Sequence, residues 1–86
     1  MIMELIFNNK VAEFVANSHF CLHTEGGQDL LLYHKTSGKD WDILRRLTGD
    51  VTDIDIPVTV SKDYKITCTK TPSMAVVIFS KNDNEG

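Results

Sequence analysis

The stretch VTDIDIPVTVSKDYKITCT, residues 51–69, alternates apolar and polar side chains almost without interruption. Ile54, Ile56, Val58 and Val60 fall between Asp53, Asp55, Pro57 and Thr59, and Tyr64, Ile66 and Cys68 fall between Lys65, Thr67 and Thr69. A period of two puts each apolar set on one face of a pleated strand, so this stretch predicts half-buried antiparallel sheet. Pairing Val60 with Tyr64 across Ser61, Lys62 and Asp63 sets Val58 opposite Ile66 and Ile56 opposite Cys68, apolar on apolar. Beyond the turn residues Thr71, Pro72 and Ser73, the run from Met74 to Phe79 is apolar throughout, as in a strand covered on both sides. If Ala75, Val77 and Phe79 join Tyr64 and Ile66 inside, Met74, Val76 and Ile78 face outward as an apolar row, and such rows mark partner surfaces.

Upstream, Met3 to Phe7 reads as a short strand or the lead-in to a helix. Asn8 or Asn9 is suited to cap a helix carrying Val11, Phe14 and Val15 and ending near Asn17. Residues 20–25 and 28–35 read as a hairpin around Gly26 and Gly27, which supply the positive φ of a tight turn. A second helix is expected from Ser37, with Asp40 three residues later as in a capping box. Trp41, Leu44 and Leu47, or Ile43 and Leu47, form its buried stripe, Arg45 and Arg46 its last turn, and Gly49 its stop. The expected order is β-α-β-β-α-β-β-β. This is an α+β domain over residues 1–80, one mainly antiparallel sheet with two helices packed on it, followed by a flexible polar tail at 81–86.

A chain of 86 residues has room for one domain. Its 42% apolar and 24% charged residues lie near globular averages, so a folded core is expected rather than disorder. The net charge of −3 argues against a general nucleic-acid binder, which carries a basic stripe. No run approaches the roughly 18 apolar residues of a membrane span. Glu4 breaks the apolar opening and no basic segment precedes it, unlike a secretory signal. These features predict a cytoplasmic protein whose Cys21 and Cys68 are reduced.

The sharpest chemical constellation is His19-Phe20-Cys21-Leu22-His23. On a strand, His19, Cys21 and His23 share one face, and His34 on the expected partner strand could supply a fourth zinc ligand. The paired-Cys or Cys/His knuckle of structural zinc sites is absent, and the same residues suit the wetter face of a hairpin, so no cofactor is expected. Asp53 and Asp55 share a face, but solvent-facing carboxylates on a strand commonly guard a sheet edge. Ser37-Gly38-Lys39 lacks the glycine-rich run of a phosphate loop. Lys35, Lys39, Arg45 and Arg46 surround Trp41, with Asp40, Asp42 and Asp50 interleaved so that the local field cancels.

The function expected from these features is non-enzymatic. It is a small inhibitor or regulator that binds another protein, in a size class familiar from phages and mobile elements. Contact residues are Met74, Val76 and Ile78 on the sheet, or Lys39, Arg45 and Arg46 on the second helix, and a homodimer through the sheet is a further option. The alternatives are a metal-binding module or metalloenzyme using His19, Cys21, His23 and His34, and a nucleic-acid-binding domain using the second helix and the lysines of the last hairpin.

Overall fold

Alternation rather than helical periodicity runs through the whole of the computed structural model, which describes residues 1–79. Eight strands follow one another: β1 (Ile2–Glu4), β2 (Val11–Ala16), β3 (Phe20–Glu25), β4 (Leu30–Lys35), β5 (Asp42–Leu47), β6 (Val51–Ile56), β7 (Lys62–Thr67) and β8 (Met74–Phe79). No helix occurs among the described residues, so the expected α+β class is overturned and the protein is all-β. The tail expected at 81–86 lies outside the described residues.

Both expected helices have a local reason for being strands. Asn9 and Lys10 take φ of 52° and 65°, and Asn8 and Val11 exchange both backbone hydrogen bonds. That is a two-residue turn of type I′ rather than a helix cap. It launches β2, whose buried residues are Ala12, Phe14 and Ala16. Two of these three are alanines, which weakens the alternation and lets Val11, Phe14 and Val15 imitate a helical face. The second expected helix is a turn followed by β5. Gly38, at φ 82°, sits inside a turn closed by Lys39 N–H donating to the Thr36 carbonyl. In β5 the register against β4 jumps from Leu32 opposite Arg45 to Tyr33 opposite Ile43, leaving Leu44 as the extra residue of a bulge. The bulge lets Leu44 and Leu47, three apart as on a helix, both pack on the core.

The strands form two antiparallel four-stranded sheets, β1-β8-β3-β6 and β2-β7-β4-β5. In sequence terms β1 pairs with β8, β2 with β7, β3 with β6 and β4 with β5, like one long ribbon folded at the β4–β5 connection. Rolling that ribbon adds the pairs β3·β8 and β4·β7. Two expected hairpins are therefore corrected. β3 and β4 lie in opposite sheets, and so do β6 and β7. Gly26 and Gly27, at φ 74° and 81°, carry the chain across the sandwich instead of turning it back. Pro57, which has no N–H to donate, follows the end of β6, and residues 57–61 make the other crossing.

The expected inward set of the last strands holds even though its partners differ. Tyr64, Ile66, Ala75 and Val77 are buried, and Phe79 and Cys68 pack against the core as partly buried residues. Between the sheets, Phe20 makes edge contacts with Phe14 and Tyr64, centroids 5.4 and 5.1 Å apart, while Phe14 and Tyr64 stack at 5.3 Å. Phe79 adds a fourth ring, 6.2 Å from Phe20. Edge-to-face and offset arrangements are those the ring quadrupoles favour. This cluster takes rings from both sheets and fixes how they stack.

Candidate functional site

The registers of β1·β8, β3·β8 and β3·β6 lay out the outer face of the first sheet residue by residue. One row runs Ile2, Ile78, Cys21, Asp55, and the next runs Glu4, Val76, His23, Asp53. A third runs Met74, Glu25, Val51. Ile2 is 68% exposed, Met74 46% and Ile78 38%, and Val76 is half-buried. Met74, Val76 and Ile78 on β8, with Ile2 beside them on β1, thus form an apolar strip flanked by Glu4, and the β3–β6 side carries most of the titratable groups. None of the four strands contains a Lys or Arg, while Glu4, Glu25, Asp53 and Asp55 supply four carboxylates.

His23 stands at the boundary. Its Nδ1 lies 2.7 Å from Asp53 Oδ1 and its Nε2 lies 2.8 Å from Glu25 Oε2. Ionised carboxylates only accept, so both ring nitrogens must carry protons to make both bonds. The bond to Glu25 first, and that to Asp53 next, hold the imidazole pKa above its ordinary value. His19 Nε2 sits 3.6 Å from Asp55 Oδ1. Burial first, then the charges of Asp55 and Asp53, push the Cys21 thiol up, so the thiolate that a nucleophile or a zinc ligand requires is disfavoured.

Of the residues singled out for metal, Cys21 and His23 share the outer face of β3, with His19 just ahead of the strand. His34 belongs to β4 in the opposite sheet, so the expected fourth ligand is not on a partner strand of β3. Among the described residues no group of three or more His, Cys, Asp or Glu is placed to hold a metal ion. Of the two acidic partners of His23, Glu25 lies two residues away on the same strand face, whereas Asp53 is 30 residues away and is brought in only by pairing of β3 with β6.

The basic candidates lie elsewhere. Arg45 and Arg46 are on the edge strand β5 rather than on a helix, and Lys39 is in the turn before it. They belong to the second sheet, whose strands carry Lys35, Arg45, Arg46, Lys62 and Lys65 against Glu13, Asp42 and Asp63. Trp41 does not anchor a helix. Lys35 Nζ lies 4.9 Å and Lys65 Nζ 4.6 Å from the centre of its ring, and Lys65 is also 4.8 Å from the Tyr33 ring. These cations rest on aromatic faces, a favourable contact between charge and ring quadrupole.

The wiring, eight strands paired as a folded ribbon and rolled into two sheets, is that of a jelly-roll β-sandwich. This architecture hosts many unrelated functions, so function must be argued from surfaces and sites. Comparison with known protein families, curated proteins and solved structures returns no match. No helix among the described residues is long and apolar enough to cross a membrane.

Proposed function

We propose that this chain works by protein–protein contact, as a non-enzymatic inhibitor or regulator that covers part of another protein's surface. The observation that carries this reading is the apolar strip Ile2, Met74, Val76 and Ile78, lying on the outer sheet face beside carboxylates that no Lys or Arg of the same sheet neutralises. Exposed apolar area rimmed by charge is the composition of a contact surface. The partner that suits it has an apolar centre with Lys or Arg at its rim, because cations there meet Glu4, Asp53 and Asp55 across the interface. Lys39, Arg45 and Arg46 stand on the other sheet and its loop and take no part in this contact.

The test is a photo-crosslinking residue introduced at position 78, with one at position 33 on the opposite sheet as control, in a lysate of the host. Position 78 is expected to capture one defined protein that position 33 does not. Adding Val76→Asp to the position-78 probe should abolish that capture while leaving the circular dichroism and melting of the chain near those of the parent. Undiminished capture by a folded Val76→Asp variant would remove the strip from the contact.

A further inference from the structure

At the end of the sandwich where β4 and β6 stop and β5 and β7 begin, the two sheets part around a cleft of about 280 Å³. Its apolar wall is Leu44, Ile56, Pro57, Val58 and Val60. The remaining lining includes His34, Arg45, Lys62 and Tyr64, with no carboxylate among the lining residues. Register explains how three basic side chains come to border an interior. His34 pairs with Tyr64, Lys62 with the buried Ala16, and Arg45 with the buried Leu32, so each starts from the core-facing side of its strand. Arg45 and Lys62 make no ion pair with a carboxylate among the described residues.

A second, independent observation comes from Tyr64. The residue is 1% exposed, yet its hydroxyl has no hydrogen-bond partner among the described residues. Buried hydroxyls are normally paired, and Tyr64 is one of the residues that line the cleft. An apolar wall with a few polar groups is the general composition of small-molecule sites, and the volume of about 280 Å³ lies just below their usual range of about 300–1,000 Å³. Cations and a hydroxyl with no carboxylate among the lining residues select a negative charge, and the carboxylates of Asp40 and Asp42 line the adjoining cleft.

We infer that this cleft binds a small organic anion, a carboxylate on a compact apolar body. The apolar body lies against Leu44, Ile56 and Val58, and the carboxylate meets Arg45, Lys62 and the Tyr64 hydroxyl. The site is separate from the outer face of the β1-β8-β3-β6 sheet and does not depend on it.

The experiment is a titration of the full chain, followed by amide NMR, with sodium benzoate, benzyl alcohol and sodium acetate in parallel at constant ionic strength. Benzoate is expected to give saturable shifts centred on His34, Arg45, Val58 and Tyr64. Benzyl alcohol, lacking the charge, and acetate, lacking the apolar body, should each bind at least about tenfold more weakly, the scale of a charge-assisted hydrogen bond or a small buried apolar group. Arg45→Gln and Lys62→Gln should each weaken benzoate several-fold. Tyr64→Phe should weaken it while leaving the melting temperature without benzoate unchanged or higher, a pairing of effects that loss of structure would not give. Equal binding of benzoate and benzyl alcohol, or non-saturating shifts scattered over surface lysines, overturns the inference. The crosslinking result at position 78 is unaffected by either outcome.

Discussion

The inner and outer faces of the β1-β8-β3-β6 sheet are built from the same four strands, one residue out of phase. Inward, Phe20, Leu22 and Val77 are fully buried and Thr24, Ala75 and Ile56 nearly so. Outward, Cys21, His23, Met74, Val76 and Ile78 alternate with them along β3 and β8. The inner set holds the sandwich together through apolar burial and the Phe20 ring contacts. The outer set joins an apolar strip to a row of carboxylates and adds little to the core. Neighbouring residues on one strand thus do different work, and single substitutions can separate the two.

The strongest break in this comparison is Val77→Asp against Val76→Asp. Val77 is 0% exposed, so a carboxylate there is buried without a partner and is expected to cost more than about 4 kcal/mol, enough to unfold a domain of this size. Val76→Asp, one residue away on the outer face, should change stability by about 1 kcal/mol or less. Urea denaturation of the two variants checks this, and similar losses from both would mean that the outer face is structural. Phe20→Ala comes next. It removes the ring that touches Phe14, Tyr64 and Phe79, and about 3–5 kcal/mol of destabilisation is expected from equilibrium unfolding.

His23 sharpens the comparison on the outer side, through pH. Its pKa is raised by folding, so the stabilisation it provides is complete below about pH 6.5, the unfolded value. That stabilisation is lost as pH rises through the folded value. The advantage of the parent chain over His23→Gln in thermal unfolding should therefore be larger near about pH 5.5 than near about pH 8.5. An advantage that does not vary with pH would place the effect in shape rather than in charge. Raising the ionic strength should shrink it, because the site is open to solvent.

The smallest expected effect lies outside both faces, in the turn between β1 and β2. Lys10 holds φ at 65°, a conformation that strains a side-chain-bearing residue and suits glycine. Lys10→Gly should raise stability by a few tenths to about 1 kcal/mol, visible as a small rise in melting temperature, without altering the capture at position 78. A loss of stability would mean that the Lys10 side chain does more than occupy the turn.

The division into inner and outer residues was legible on β3, where Phe20 and Leu22 are large, and on β8, where an unbroken apolar run follows the Thr71-Pro72-Ser73 turn. Phe20 and Leu22 against Cys21 and His23, and Ala75 and Val77 against Met74, Val76 and Ile78, follow from period two alone. On β2 and β5 period two is masked for identifiable reasons. On β2 two of three inward positions are alanine, and on β5 a bulge brings Leu44 and Leu47 to one side at helical spacing. The two carboxylates that grip His23 show the same division, since Glu25 lies two residues away on the same face and is visible locally, whereas Asp53 is brought by pairing.

What the sequence determines by itself is therefore local: which residues of a strand share a face, where Gly and Pro permit or enforce a change of direction, and that the charge balance is mildly acidic. Which strands become neighbours was decided only by the tertiary structure. Backbone hydrogen bonds between strands carry no sequence label, so Ile56 can satisfy its apolar face as well against Phe20 in one sheet as against Cys68 in an imagined hairpin. Closing two sheets over one core selects the rolled ribbon, because it places Phe14, Phe20, Tyr64 and Phe79 in a single cluster. The same closure brings Asp53 to His23, and Arg45 and Lys62 to Tyr64.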